Sequence, residues 1–262
     1  MKVFLNIALL FSLSLSTVQF TSAQTDSLAI NTDTITSVQQ NEPKSESNHV
    51  IVNYPRIFGG ITFSRIDWGF SRIMDDGQFS LSEDNNFLKY KKASNFGFDI
   101  AQFGVRSSDN FKTYISAGFE WNYLRLKKNI LLNQDVSPIS YTEIDPEEVN
   151  YSKNILTTTY LRLPLTFEWR SDKNAKGNRY KVAFGAMTGI LLKGSQRVKS
   201  KQNGKQKFKD NYSLASFQYG PFVRIGYEDF GFFAKYYMND FFENSPKQKN
   251  VNNLAFGITL GF

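Results

Sequence analysis

The chain of 262 residues has no cysteine and a single histidine, His49. Without cysteine there is no disulfide framework and no thiolate metal site. One histidine cannot build a multi-histidine metal centre. Hydrogen bonding and packing are left to hold the fold. Long apolar runs are also scarce. The mean hydropathy of −0.38 excludes a polytopic helical membrane protein. No Gly-rich phosphate loop, HExxH or GxSxG motif occurs, so no cofactor or metal is expected. A last scarcity is local: the stretch 193–209, "KGSQRVKSKQNGKQKFK", contains no acid.

Aromatic residues are abundant, at 16% of the chain, carried by 25 Phe and 13 Tyr. The formal charge is +7, which by itself could point to nucleic acid. The N-terminus argues against that. "MKVFLNIALLFSLSLSTVQFTSA" (1–23) has an early lysine, an apolar run and small residues at its close. That is the plan of a cleaved secretory signal. Its apolar run falls short of the ~20 residues of a spanning helix. An exported chain is not expected to meet nucleic acid. Residues 24–53 are rich in Ser, Thr, Asn and Gln, and read as a disordered periplasmic linker.

From about Tyr54 the pattern changes to period two, broken by turn-forming clusters. Eight such segments can be read: 55–70, 94–105, 111–126, 155–170, 179–193, 213–227, 230–242 and 251–262. The first is the least regular, because its apolar phase shifts between Phe63 and Trp68. The segment 230–242 is aromatic on both faces. The gaps between segments alternate short and long, as in outer-membrane barrels with short periplasmic turns and long external loops. The chain stays apolar on alternate positions to its end, "LAFGITLGF", where a soluble terminus would fray into polar sequence.

A soluble sandwich alternates too, with its charges facing water. Export, the apolar last strand and the girdle-like placing of Trp68, Trp121, Tyr123, Trp169, Tyr180 and Tyr227 favour lipid outside. The sequence therefore predicts an all-β fold. It is an eight-stranded antiparallel up-and-down transmembrane β-barrel over 54–262, in the outer membrane of a Gram-negative bacterium. Asp99, Glu120, Arg162, Glu168, Arg224 and Lys235 then face the lumen. Eight strands enclose little more than side chains, so these charges are expected to pair and seal it. Pro164 and Pro221 strain the assignment, because neither can donate to a ladder. Either a bulge at each or a misplaced strand end is expected.

The segment "TTTYLRLPLTFEWR" resembles a strand of the PorT-like outer-membrane β-barrel family of Bacteroidetes, through Tyr160, Leu161, Leu163, Pro164 and Leu165. "VAFGAMTGILLKG", "YGPFVRIGYED" and "LAFGITLGF" are similar to later strands of that family. The resemblance covers roughly 55–262. It implies an eight-stranded barrel in which Pro164 is a family feature. Some members belong to the type IX secretion and gliding apparatus. Phe262 is similar to the last residue of the signal that barrel-assembly machinery recognises.

The functional expectation is a non-catalytic protein with a structural or interaction role in the cell envelope. A component of a type IX secretion or gliding apparatus is one form of it. A narrow channel for small or hydrophobic solutes is the alternative, and an envelope lipid-modifying enzyme a weaker one. The enzyme lacks support because His49 lies in the linker, leaving an acyl-transfer site without a base. Glu147 and Glu148 sit together in an acidic loop, where a solvated surface is the simpler reading. The expected partners are outer-membrane lipid and lipopolysaccharide, the assembly machinery, and envelope or secretion-complex proteins. Lys193, Arg197, Lys199, Lys201, Lys205, Lys207 and Lys209 form a basic external loop. It is suited to lipopolysaccharide phosphates, to the acidic 127–150 loop or to a partner protein.

Overall fold

The computed structural model describes residues 54–261. The expected signal and linker, His49 and Phe262 lie outside the described residues. Strands run over β1 Arg56–Asp75, β2 Leu88–Arg106, β3 Phe111–Leu126, β4 Ile130–Leu132, β5 Tyr141–Glu143 and β6 Tyr151–Arg162. They continue as β7 Leu165–Arg170, β8 Tyr180–Ser200, β9 Gly204–Lys209, β10 Phe217–Tyr227, β11 Phe230–Tyr237 and β12 Val251–Leu260. Valine, isoleucine, threonine and aromatics dominate these stretches, as a pleated half-buried surface favours.

The sheet closes on itself. Going round, β12 pairs β1, β1 pairs β2, and β2 pairs β3. β3 pairs first β7 and then β6, and both pair β8. β8 pairs β10, β10 pairs β11, and β11 returns to β12. All pairs are antiparallel, giving a ring of eight paths. Each of the eight alternating segments supplies one path.

The strand count is larger than eight, because one path is split and three strands lie outside the ring. Residues Leu163 and Pro164 separate β6 from β7. The register against β3 and β8 is the same on both sides of the break. Leu163 N donates to Thr188 O at 2.8 Å, and Ser116 N donates to Pro164 O at 3.0 Å. Pro221 stays inside β10, fully in register with β8. Its other ladder, with β11, lapses beyond Phe222↔Lys235 and resumes when Met238 N donates to Tyr219 O. The bulges expected at these prolines are thus replaced by one missed rung each, because the flanking rungs hold the register. Register shifts occur elsewhere, among them one in β1 between Ile61 and Arg65. That one explains the phase shift in the first segment.

Several strands also outrun their sequence boundaries. β1 has 20 residues and β8 has 21, against about 9–11 for a tilted membrane crossing. In the segment 230–242 the regular strand ends at Tyr237, and beyond it only single backbone bonds and a bridge from Phe242 to Leu214 continue. The stretch expected as a basic loop is a hairpin, with the end of β8 paired to β9. Gly204, at φ +67, supports its tight return. β4 and β5 pair only with each other, inside the 127–150 segment.

Short connections (107–110, 171–179, 228–229) lie at one end of the ring and long ones at the other. The outer surface is apolar, with Ile57, Ile61, Trp68, Phe70, Phe103, Phe184, Ile225 and Phe232 all exposed. At the long-connection end the inside is apolar as well. Ile73, Leu88, Leu124, Leu126, Leu156, Tyr212, Leu214, Phe241, Phe242 and Val251 form a buried cluster there. Asn154 and Gln196 pin β4 over it: Asn154 Nδ2 donates to Ile130 O at 2.7 Å, and Leu132 N donates to Gln196 Oε1 at 2.9 Å. The same end is fixed by Asp75, whose carboxylate accepts from Ser82 N, Ser82 Oγ and Asn85 Nδ2. Burial pushes the Asp75 pKa up, but these bonds outweigh it and hold it below the usual carboxylate value.

The closing seam is a close approach, as are several other glycine positions round the ring. Gly69 and Gly257 face each other across β1 and β12. A methyl group on Gly257 would lie 2.3 Å from Trp68 O and 2.4 Å from Gly69 Cα, against backbone that cannot swing away. Gly257→Val is therefore expected to destabilise the closed ring by at least about 1–3 kcal/mol, while Ile258→Val beside it is tolerated. Resistance of the folded band to unfolding on unheated gels measures this. Equal resistance of the two variants would show that the seam is not tight.

Candidate functional site

Strict alternation sends one side chain of each pair into the ring. On β3 it sends Lys112, Tyr114, Ser116, Glu120 and Asn122 inward, and Ile115, Phe119, Trp121 and Tyr123 outward. The same rule brings together all six lumen charges expected from sequence. Asp99, Glu120, Arg162, Glu168, Arg224 and Lys235 are each no more than 1% exposed.

Their centre is a residue the sequence reading did not select. Asp67 on β1 accepts ion pairs from Arg162, Arg224 and Lys235, each at 2.8 Å. Arg162 also meets Asp99 at 2.7 Å and Glu120 at 3.5 Å. Glu120 receives Lys235 at 3.1 Å, Asn95 Nδ2 at 3.0 Å and the Tyr237 hydroxyl. A second knot lies toward the short turns. There Glu168 holds Lys112 at 3.0 Å and Arg170 at 2.7 Å, and accepts the Tyr114 hydroxyl at 2.7 Å. Arg65 links the knots, 3.4 Å from Asp99 and 3.7 Å from Glu168.

Inward aromatics cover the cations. Phe222 lies under Arg224 and Phe233 under Lys235, each 4.6 Å from ring centre to charge. Phe233 and Tyr237 thus account for the second aromatic face of 230–242. Space for a guanidinium comes from Gly97, where a Cβ would lie 2.4 Å from Arg162 Nη1. The deeply buried cations Arg65, Lys112, Arg162, Arg224 and Lys235 face the carboxylates Asp67, Asp99, Glu120 and Glu168. Every one of these carboxylates is held by at least one cation.

Arg65, Asp67 and Lys112 were legible in principle. Asp67 stands between Ile66 and Trp68, the mark of an inward charge on a lipid-facing strand. The irregularity after Ile61 hid the phase. Lys112 shares parity with Glu120 and lies next to the short turn.

The basic stretch forms a second charged surface. A register shift near Leu191 and Lys193 reverses the parity of β8. Beyond it Lys193, Arg197 and Lys199 face out, above the exposed Ile190 and Leu192. β9 adds Lys205, Lys207 and Lys209 directly opposite Lys199, Arg197 and Ser195. Lys153 on β6 joins the row opposite Lys199. Lys201 lies in the turn of the hairpin. Partial burial and then repulsion from Arg197, Lys193 and Lys209 pull the Lys207 pKa below the usual lysine value. The acidic 127–150 segment reaches the end of this hairpin through backbone and amide groups: Gln134 Nε2 donates to Lys209 O, and Asp135 N to the carboxylate of Asp210 just beyond it. Among the described residues no ion pair joins its Asp135, Glu143, Asp145, Glu147 or Glu148 to the basic face. Glu147 and Glu148 take part in a turn built on Asp145.

The family model described as outer membrane protein beta-barrel domain matches residues 6–242. No curated protein matches the chain.

Asp67 is the decisive carboxylate of the network. Asp67→Asn leaves Arg162, Arg224 and Lys235 with one fewer anion in a buried setting, and is expected to cost about 3–5 kcal/mol of stability. Urea unfolding in detergent measures it. A change under about 0.5 kcal/mol, the level of an ordinary surface substitution, would show that the charges are hydrated and not mutually dependent.

Proposed function

Because the chain belongs to the outer membrane protein β-barrel domain family, and is thereby an integral outer-membrane protein, we propose that it is a sealed, non-catalytic eight-stranded transmembrane barrel of a Gram-negative envelope. On this reading it works through its surfaces, as a structural or interaction component of the envelope. One observation carries the reading: the interior is filled, by ion pairs in the middle and by apolar side chains at the long-connection end. A solute channel needs a continuous wet path, and these two layers oppose one. The resemblance to PorT-like barrels makes a type IX secretion or gliding assembly the complex in which to seek partners.

The basic face supports a lipid-side contact. Lys193, Arg197, Lys199, Lys205, Lys207 and Lys209 stand where the apolar belt of β8 ends, on the same outer side. At that height a membrane presents headgroup phosphates. Like charges set opposite one another are unfavourable alone and gain from shared anions. On this reading the anions are lipopolysaccharide phosphates.

Two measurements test these statements. Planar-bilayer recording of the purified barrel is expected to show no steady single-channel current. Regular conductance steps would overturn the sealed interior in favour of a narrow channel. Lipopolysaccharide added to the detergent-solubilised protein is expected to raise its unfolding temperature. Lys199→Glu with Lys205→Glu and Lys207→Glu should abolish that rise. An undiminished rise in the triple variant would remove the basic face from lipopolysaccharide binding.

A further inference from the structure

The short-turn mouth of the ring carries a different charge pattern from its middle. Below the irregularity in β1, Arg56 and Phe58 take the inward phase, with Gln102 and Arg106 on β2, Lys112 on β3 and Arg170 on β7. These residues line one cavity of about 290 Å³. No acid is in its lining.

Register makes the crowding explicit. Arg56 is the cross-strand partner of Arg106, and Arg106 is the partner of Lys112. Three cations therefore stand in one row on three neighbouring strands. Like charges directly opposite are destabilising. The next residue in the row is Glu168, opposite Lys112. It is already taken by Lys112 and Arg170 and by the Tyr114 hydroxyl. Asp109, in the adjoining turn, is engaged by Arg179 at 3.4 Å and by Tyr54 at 3.2 Å, and reaches Arg106 only through a longer-range attraction. Neither Arg56 nor Arg106 forms an ion pair with a described residue.

The middle of the lumen shows how this chain treats buried cations, since each is matched there by a carboxylate. At the mouth Lys112 and Arg170 keep Glu168, while the exposed Arg56 and half-buried Arg106 form no ion pair of their own, which leaves a concave, cation-rich site. Two guanidinium groups are planar forks suited to a tetrahedral oxyanion. Lys112 supplies a point charge from below, fixed by Glu168 and by the ring of Tyr114 at 4.7 Å. Gln102 adds an amide donor, and Phe58 an apolar wall.

We propose that this mouth binds a phosphate-bearing anion, held between Arg56, Arg106 and Lys112. The cavity takes a phosphate with a few further heavy atoms. In outer-membrane barrels the short turns are periplasmic, so the site opens to the periplasm. Two sources share this chemistry there: a soluble phosphate compound and the headgroup of an anionic phospholipid. The site does not depend on whether the lumen conducts, nor on what the basic hairpin binds.

The test is calorimetric titration of the full chain in a nonionic detergent free of phosphate. One arm adds inorganic phosphate and the other adds short-chain phosphatidylglycerol. Chloride at matched ionic strength is the blank. Saturable one-site binding is expected in at least one arm, and the arm with the tighter binding names the source. Arg56→Gln with Arg106→Gln should weaken it by about tenfold or more. The same double variant should unfold at an unchanged or higher temperature in phosphate-free buffer, because it relieves a like-charge row. A merely structural role for the two arginines predicts the opposite shift. No saturable heat in either arm, or equal affinity in the double variant, overturns the proposal.

Discussion

The seam between β1 and β12 is the constraint on which the rest of the structure depends. In hydrocarbon an open sheet edge leaves unpaired N–H and C=O groups, each at a cost of several kcal/mol by order of magnitude. The sheet must therefore return to its first strand. It does so through Gly69 and Gly257, whose missing side chains let the two backbones close together. Closure turns alternation into an inside and an outside. Ile66, Trp68, Phe70, Phe256 and Leu260 fall on one side of the seam, and Asp67, Ser71, Ala255 and Thr259 on the other.

An enclosed inside then dictates its own chemistry. Charges withdrawn from water must find partners. Around the hub they do so across the ring. Asp67 of β1 meets Arg162 of β6, Arg224 of β10 and Lys235 of β11. Such a knot ties opposite walls together and resists collapse or widening. Further out the ring no longer needs lipid, and its interior becomes an apolar core with Asn154 and Gln196 serving the backbone of an inserted hairpin. The protein joins a membrane barrel to a cap that packs like a soluble domain. At the opposite mouth Arg56 and Arg106 stand in one row with Lys112 and form no ion pair of their own, which sets that end apart as a place for an external anion.

Much of this was legible. The strict parity of "ISAGFEW" and "FVRIGY" places Glu120 and Arg224 inside. Asp67 and Arg65 were not selected, because an irregularity between Ile61 and Arg65 shifts the phase where they sit. The basic stretch read as a loop because lysine and glutamine are poor strand formers in isolation. Pairing of β8 with β9 and β6 overrode that weak preference. The prolines were read too severely: one absent donor costs a rung, and neighbouring rungs keep the register. The apolar cap was invisible because Leu132, Tyr212 and Phe241 come from separate connections with no shared period.

The sequence by itself determined the class of fold, the sidedness of most strands and the burial of six of the lumen charges. Those follow from a local rule, two residues per pleat, that each segment obeys alone. Only the tertiary structure decided which charge meets which, that Asp67 is the hub, and that Arg56, Arg106 and Lys112 share one row. Those depend on register around a closed ring. A single irregular turn of the chain, as in β1, shifts every partner beyond it, and no local pattern records the shift.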